Sequence, residues 1–134
     1  MTDTKSDTSI YIARVQAAMA EKGIGGLIAY YGGQHNMLRT DPILLLADYR
    51  VIGPSALLVP RTGEPQLIVS PAWDLARACE QVALSDVSAV DETALATAIA
   101  AKAGALDAPL ALTGKEVMPF SFARALYAAL GGEP

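Results

Sequence analysis

Apolar positions recur at three- and four-residue spacing from Tyr11 through Val15, Ala18 and Met19, with Lys22 as a snorkelling end, and this stripe predicts a helix. Asp7, Thr8 and Ser9 precede it with side-chain oxygens suited to the first helical N–H groups, so residues 1–8 read as a flexible lead-in. Gly23 stops the helix, Gly25-Gly26 turns the chain back, and Leu27 to Tyr31 form a continuous apolar run expected as a buried strand.

The pattern then loses its period. Gly32-Gly33, Asp41-Pro42 and Gly53-Pro54 punctuate residues 32–54, and Ile43 to Leu46 is the one run there that reads as strand. Ser55 to Val59 and Gln66 to Ser70 are β-rich and separated by a short connection centred on Thr62-Gly63, which predicts an antiparallel hairpin. Beyond it, helix and strand alternate: a helix over 72–81, a strand over 87–90, and a helix over 92–103 with Leu95, Ala96 and Ile99 inward. A strand over 109–113 follows, then a helix over 119–130 with Phe122, Ala123, Leu126, Tyr127 and Leu130 on one face. Strands interleaved with helices call for a sheet covered on both sides, and the hairpin makes that sheet mixed. The chain closes on Gly131-Gly132-Glu133-Pro134 just after a helix, which is expected to lie at or before a domain boundary.

A chain of 134 residues is one domain's worth, long enough for a hydrophobic core without a disulfide or metal staple. Alanine supplies much of its 52% hydrophobic content, and no apolar run approaches the roughly 20 residues that span a bilayer. Residues 1–8 lack the basic flank and apolar core of a signal peptide, and Cys79 has no second cysteine to pair with, so a cytoplasmic location is expected. A net charge of −4 with singly scattered Lys and Arg argues against nucleic acid or an anionic membrane as partner.

Little in the chain resembles catalytic equipment. Gly23-Ile24-Gly25-Gly26 follows a helix and precedes a strand, the reverse of a phosphate-binding turn. His35 is the sole histidine and has no neighbours at metal-ligand spacing; its place beyond a strand end leaves substrate contact as its functional reading. Cys79, between Ala78 and Glu80, lacks a second histidine as base and reads as buried packing. No serine stands in a nucleophile elbow, and the carboxylates are dispersed. Arg39 and Arg50 lie in the long 32–54 connection, where a guanidinium either stands solvated or locally salt-bridged or grips a carboxylate with two parallel bonds. Trp73, after Pro71, is expected to pack in the core or at a subunit interface.

The order of helix with Arg14, strand, loop with Asn36, and the hairpin Leu57-Leu58-Val59-Pro60-Arg61-Thr62-Gly63-Glu64-Pro65-Gln66-Leu67-Ile68-Val69 resembles the amino-terminal domain of the creatinase/prolidase metallohydrolases over residues 10–130. The resemblance implies a three-layer α/β domain, residues 9–134, with a mixed, ribonuclease-H-like sheet flanked by helices. It implies no catalytic residue and no metal site here. Two divalent ions (Mn, Co or Zn) are expected instead in a carboxy-terminal catalytic domain absent from these residues.

The same resemblance gives the domain a part in homodimer assembly and in access of substrate to an Xaa-Pro dipeptidase, an aminopeptidase P or a creatinase-like amidohydrolase. Its partners are then its own catalytic domain and a second copy. Tyr49-Arg50 matches the aromatic and arginine that hold a substrate carboxylate in creatinase-like members, and His35, Asn36 and Arg39 complete the candidate set facing a neighbouring subunit. Peptidase members show Tyr-Leu-Thr-Gly after the asparagine, whereas Met37-Leu38-Arg39-Thr40 stands here, so a non-peptidase member is an open alternative. A free-standing α/β ligand-binding or protein-interaction module is the competing class, and a flavodoxin-like enzyme a third.

Overall fold

A computed structural model describes residues 4–33 and 39–134, with side chains from Thr8 onward. The first helix, α1, spans Thr4–Lys22 and so runs into the stretch expected as a lead-in, with Asp7, Thr8 and Ser9 inside it. Its inward stripe is Met19, buried, with Ile12 and Val15 partly buried beside it, while Tyr11 and Ala18, placed on the stripe by spacing, are exposed. Strand β1 (Gly26–Tyr31) follows.

Residues 42–47 depart from expectation. They form a helix, α2 (Pro42–Ala47), where a strand was predicted. The local chemistry explains it: Asp41 Oδ1 accepts from the N–H groups of Ile43 at 3.0 Å and Leu44 at 3.1 Å, and Pro42 stands at the first helical position, where its missing N–H costs nothing. Asp48 ends the helix in the left-handed conformation, its N–H donating to the Leu44 carbonyl at 3.1 Å.

Strands β2 (Ser55–Pro60) and β3 (Gln66–Val69) make the predicted antiparallel hairpin, with Leu57 opposite Leu67. The 72–81 helix divides into a 3-10 turn, Ala72–Asp74, and α3 (Leu75–Gln81). Then come β4 (Asp86–Ala89), a turn at Glu92–Ala94, α4 (Leu95–Ala103), β5 (Leu110–Thr113), a turn at Lys115–Val117, and α5 (Phe120–Leu130). On α4, Leu95, Ala96 and Ile99 are buried as read from the sequence; on α5 the predicted face is the covered one, with Leu126 at its centre.

The five strands form one mixed sheet in the order β4-β3-β2-β1-β5. β2 is antiparallel to both neighbours, whereas β1 pairs with β5 and β3 with β4 in parallel. Period-two alternation sends neighbouring side chains to opposite faces. Ala29, Tyr31, Leu57, Val59, Leu67 and Val69 meet Met19 of α1, Ile43 and Leu46 of α2 and Ala78 of α3, while Ile28, Tyr30, Ala56, Leu58 and Ile68 meet α4 and α5. The result is the expected three-layer α/β arrangement, each fully buried Leu or Ile contributing about 1.5–3 kcal/mol relative to exposure.

Because β2 alone runs against the others, Tyr31, Val69, Ala89 and Thr113 end four strands at the same edge where Ser55 begins β2. The long 32–54 connection leaves β1 and returns to β2 there, which is what places the candidate site.

Candidate functional site

Residues 48–54 re-enter the sheet at this edge and are stitched to the end of β3. The Gly53 N–H donates to the Ser70 carbonyl at 3.1 Å, the Ser70 hydroxyl donates to the Pro54 carbonyl, and the Ser55 hydroxyl donates to the Gly53 carbonyl at 2.9 Å. On the other side, a Cβ at Gly33 would lie 2.5 Å from the Ile52 carbonyl oxygen, so the return segment passes against the end of β1 at a distance that only glycine allows.

Of the residues nominated from sequence, Tyr49 and Arg50 sit on this segment. Arg50 is exposed and Tyr49 is fully buried. Arg39 is exposed just before the Asp41 cap of α2. His35 and Asn36 lie outside the described residues.

The Tyr49 ring points inward, and its hydroxyl donates to Asp74 Oδ2 at 2.5 Å. Asp74 is itself only 1% exposed, yet its carboxylate is fully partnered. Arg77 donates from Nε to Oδ1 at 2.8 Å and from Nη2 to Oδ2 at 3.0 Å, a two-pronged pair, and its guanidinium carbon stands 4.3 Å from the centre of the Tyr49 ring. The same Nη2 donates to the Arg50 carbonyl at 2.9 Å. Burial pushes the Asp74 carboxyl toward its neutral form, but the bonds from Arg77 and Tyr49 and the Arg77 charge outweigh it and hold the group below its ordinary range. Burial first, then the bond to Asp74 and its charge, push the Tyr49 phenol far above its ordinary range, so it stays a donor.

Sequence reading missed Asp74 and Arg77. Their i,i+3 spacing was visible, but the partner that gives the pair meaning is Tyr49, distant in sequence. Two further expectations are corrected. Trp73 is 72% exposed, which rules out a core role and leaves its interface reading open; it lies in the 3-10 turn leading into α3, with Asp74 turned inward beside it. Cys79 is exposed rather than buried, because α3 turns Ala78 inward and carries Cys79 to the solvent side.

Ile52 is half exposed at this edge, and Phe120, 78% exposed, begins α5, which leaves the same edge after β5. Among the described residues no group of three or more His, Cys, Asp or Glu is placed to hold a metal ion. No helix of the described residues is long and apolar enough to cross a membrane.

No protein-family model matches the sequence, and comparison with curated proteins finds no match. Solved structures do match in three dimensions. Dipeptidase PepE from Mycobacterium ulcerans superposes with a TM-score of 0.73 at 24% identity over 100% of this chain and 35% of that one. The creatinase/prolidase N-terminal domain of an X-Pro dipeptidase from Streptococcus pyogenes matches with a TM-score of 0.67 at 17% identity, covering 92% of this chain and 90% of that one. The N-terminal domain of cytoplasmic peptidase PepQ from Mycobacterium tuberculosis matches with a TM-score of 0.65 at 18% identity, covering 91% and 85%. The chain thus spans about a third of whole dipeptidases such as the Xaa-Pro dipeptidase of Bacillus anthracis, of which it covers 32%, and nearly all of the isolated domains. The mixed sheet, its flanking helices and the matched extent together give this chain the fold of a creatinase/prolidase N-terminal domain.

Proposed function

We propose that this chain is the non-catalytic amino-terminal domain of a creatinase/prolidase-type hydrolase of C–N bonds, where it assembles the dimer and shapes substrate access. The observation that carries the reading is the extent of the match: about nine-tenths of both this chain and solved structures that are themselves isolated dipeptidase N-terminal domains. In this reading two divalent ions (Mn, Co or Zn) sit in a separate catalytic domain, and this domain holds none. The cytoplasm is the proposed location, supported by a similar peptidase described as cytoplasmic.

Within this reading Arg50 meets the substrate carboxylate at a neighbouring subunit's active site, with Arg39, His35 and Asn36 on the same connection. Its exposure at the sheet edge supports the role, and a guanidinium offers a planar fork matched to a carboxylate. Tyr49 contributes from beneath, its hydroxyl being committed to Asp74. The exposed Trp73, Ile52 and Phe120 supply apolar surface along that edge for contact with the second copy.

The experiment is to follow the reading frame past Pro134 and to measure the mass of the purified protein by sedimentation. A following region with widely spaced Asp, Asp, His, Glu and Glu, in a protein that sediments as a dimer, is expected. A frame without such a region would overturn the assignment in favour of a free-standing binding module.

A further inference from the structure

We infer that Arg77 is a positioning residue for Arg50. The inference rests on the reading that Arg50 grips a substrate carboxylate, and it concerns what aims that side chain.

A single guanidinium holds the segment at two successive residues. Its face lies over the Tyr49 ring at 4.3 Å, and its Nη2 donates to the Arg50 carbonyl at 2.9 Å. The guanidinium is in turn fixed by Asp74, which takes Nε at 2.8 Å and Nη2 at 3.0 Å and also accepts the Tyr49 hydroxyl. Val51, the next residue, is fully buried. Residue 50 is therefore held by the ring before it, by its own carbonyl and by the apolar anchor after it, while its side chain is directed to the exposed side. A long arginine gives up rotamer freedom when it is ordered. A backbone fixed beforehand lowers what binding must still order.

The arrangement also settles a matter of charge. Arg77 and Asp74 neutralise one another within a single ion pair, so the cluster adds no net charge beneath the carboxylate that Arg50 is to meet. Lysine in place of Arg77 keeps the positive charge but not the planar fork that reaches both Asp74 oxygens and the Arg50 carbonyl together. The cluster also joins the 48–54 segment to the corner bearing Trp73, so Arg50 and Trp73 are presented from one braced unit.

The test uses the full-length protein with added manganese or cobalt. Its substrate is identified among Xaa-Pro dipeptides, creatine and acylated diamino acids, and rates are compared with those on the carboxamide of the same compound. Variants are Arg50→Met, Arg77→Met and, should the latter fold poorly, Arg77→Lys. Arg50→Met is expected to raise KM for the carboxylate substrate about tenfold or more, the loss of a charged hydrogen-bonded pair, with little change for the carboxamide. Arg77→Met is expected to reproduce part of that carboxylate-selective rise, about threefold or more, with kcat nearly unchanged, and Arg77→Lys to fall between it and the wild type. If Arg50→Met is selective but the Arg77 variants weaken both substrates alike, or neither, Arg77 serves stability alone and the inference fails while the underlying reading stands. If Arg50→Met shows no selectivity, or the protein hydrolyses none of these compounds, the reading falls and takes the inference with it.

Discussion

Removing single members of the Tyr49–Asp74–Arg77 cluster should cost stability in a definite order. Tyr49→Phe deletes one hydroxyl without opening a cavity, and Asp74 keeps both bonds from Arg77. The loss is that of one hydrogen bond to a charged group, about 1.5–3 kcal/mol, nearer the lower figure because the carboxylate remains paired. Arg77→Met leaves a carboxylate that is 1% exposed with Tyr49 as its remaining partner. Breaking a buried pair from one side costs about 3–5 kcal/mol, and the lower end applies because the Arg77 side chain is 33% exposed and water can follow its removal. The double variant should not be additive, since the Tyr49 hydroxyl matters more once Arg77 is gone; the two share one carboxylate. Urea unfolding is the assay, with Trp73 as reporter, because it is the sole tryptophan and adjoins Asp74. Far-UV circular dichroism supplies the global signal. Single variants both within about 0.5 kcal/mol of wild type, the range of ordinary surface changes, or Tyr49→Phe costing more than Arg77→Met, would refute the argument.

Three further outcomes follow from the same structure. Asp74 holds its proton less tightly when folded than when unfolded, so its contribution is complete above the ordinary carboxylate value of about 3.8 and fades as pH falls through the lower folded value; urea midpoints between pH 7 and 2.5 should fall less steeply in Asp74→Asn than in wild type, and parallel slopes would contradict this. Leu58, fully buried at the centre of β2 between β1 and β3, should cost about 2–5 kcal/mol as Leu58→Ala, read from the same unfolding curves, with a loss below about 1 kcal/mol arguing against the packing. Gly114 has φ +100 and a Cβ there would lie 2.1 Å from the Tyr30 carbonyl oxygen, whereas Gly23, at φ +73, has nothing within 4 Å; Gly23→Ala should therefore cost only the left-handed penalty of about 1–2 kcal/mol and Gly114→Ala clearly more, and equal thermal shifts would count against the close approach.

What was legible in the sequence was whatever a period or a turn could carry. The 55–69 hairpin followed from two β-rich runs around Thr62-Gly63, and the inward faces of α4 and α5 from helical spacing that begins at Leu95 and Phe122. Residues 43–46 were misread because four apolar residues fit a strand or one buried helical turn equally; the deciding signal was Asp41-Pro42, a capping side chain before a proline at the first helical position. Cys79 was assigned to buried packing and Trp73 to the core or an interface by residue type, yet which way a short helix faces depends on the sheet it lands on; the 3-10 turn and α3 put Asp74 and Ala78 inward, so Cys79 is exposed and the core option for Trp73 falls. Arg50 was nominated from its place in a long connection, but the contacts of Arg77 with that segment could not be read, since Tyr49 and Arg77 come together only when the 48–54 segment meets the β3–α3 corner.

The most direct measurement is hydrolysis of Xaa-Pro dipeptides, creatine and acylated diamino acids, with manganese or cobalt, by the 134-residue chain and by the protein extended through the following reading frame. Turnover by the extended protein and none by the chain alone is the predicted result; turnover by the chain itself, or by neither, would contradict an assembly and access domain of a C–N hydrolase.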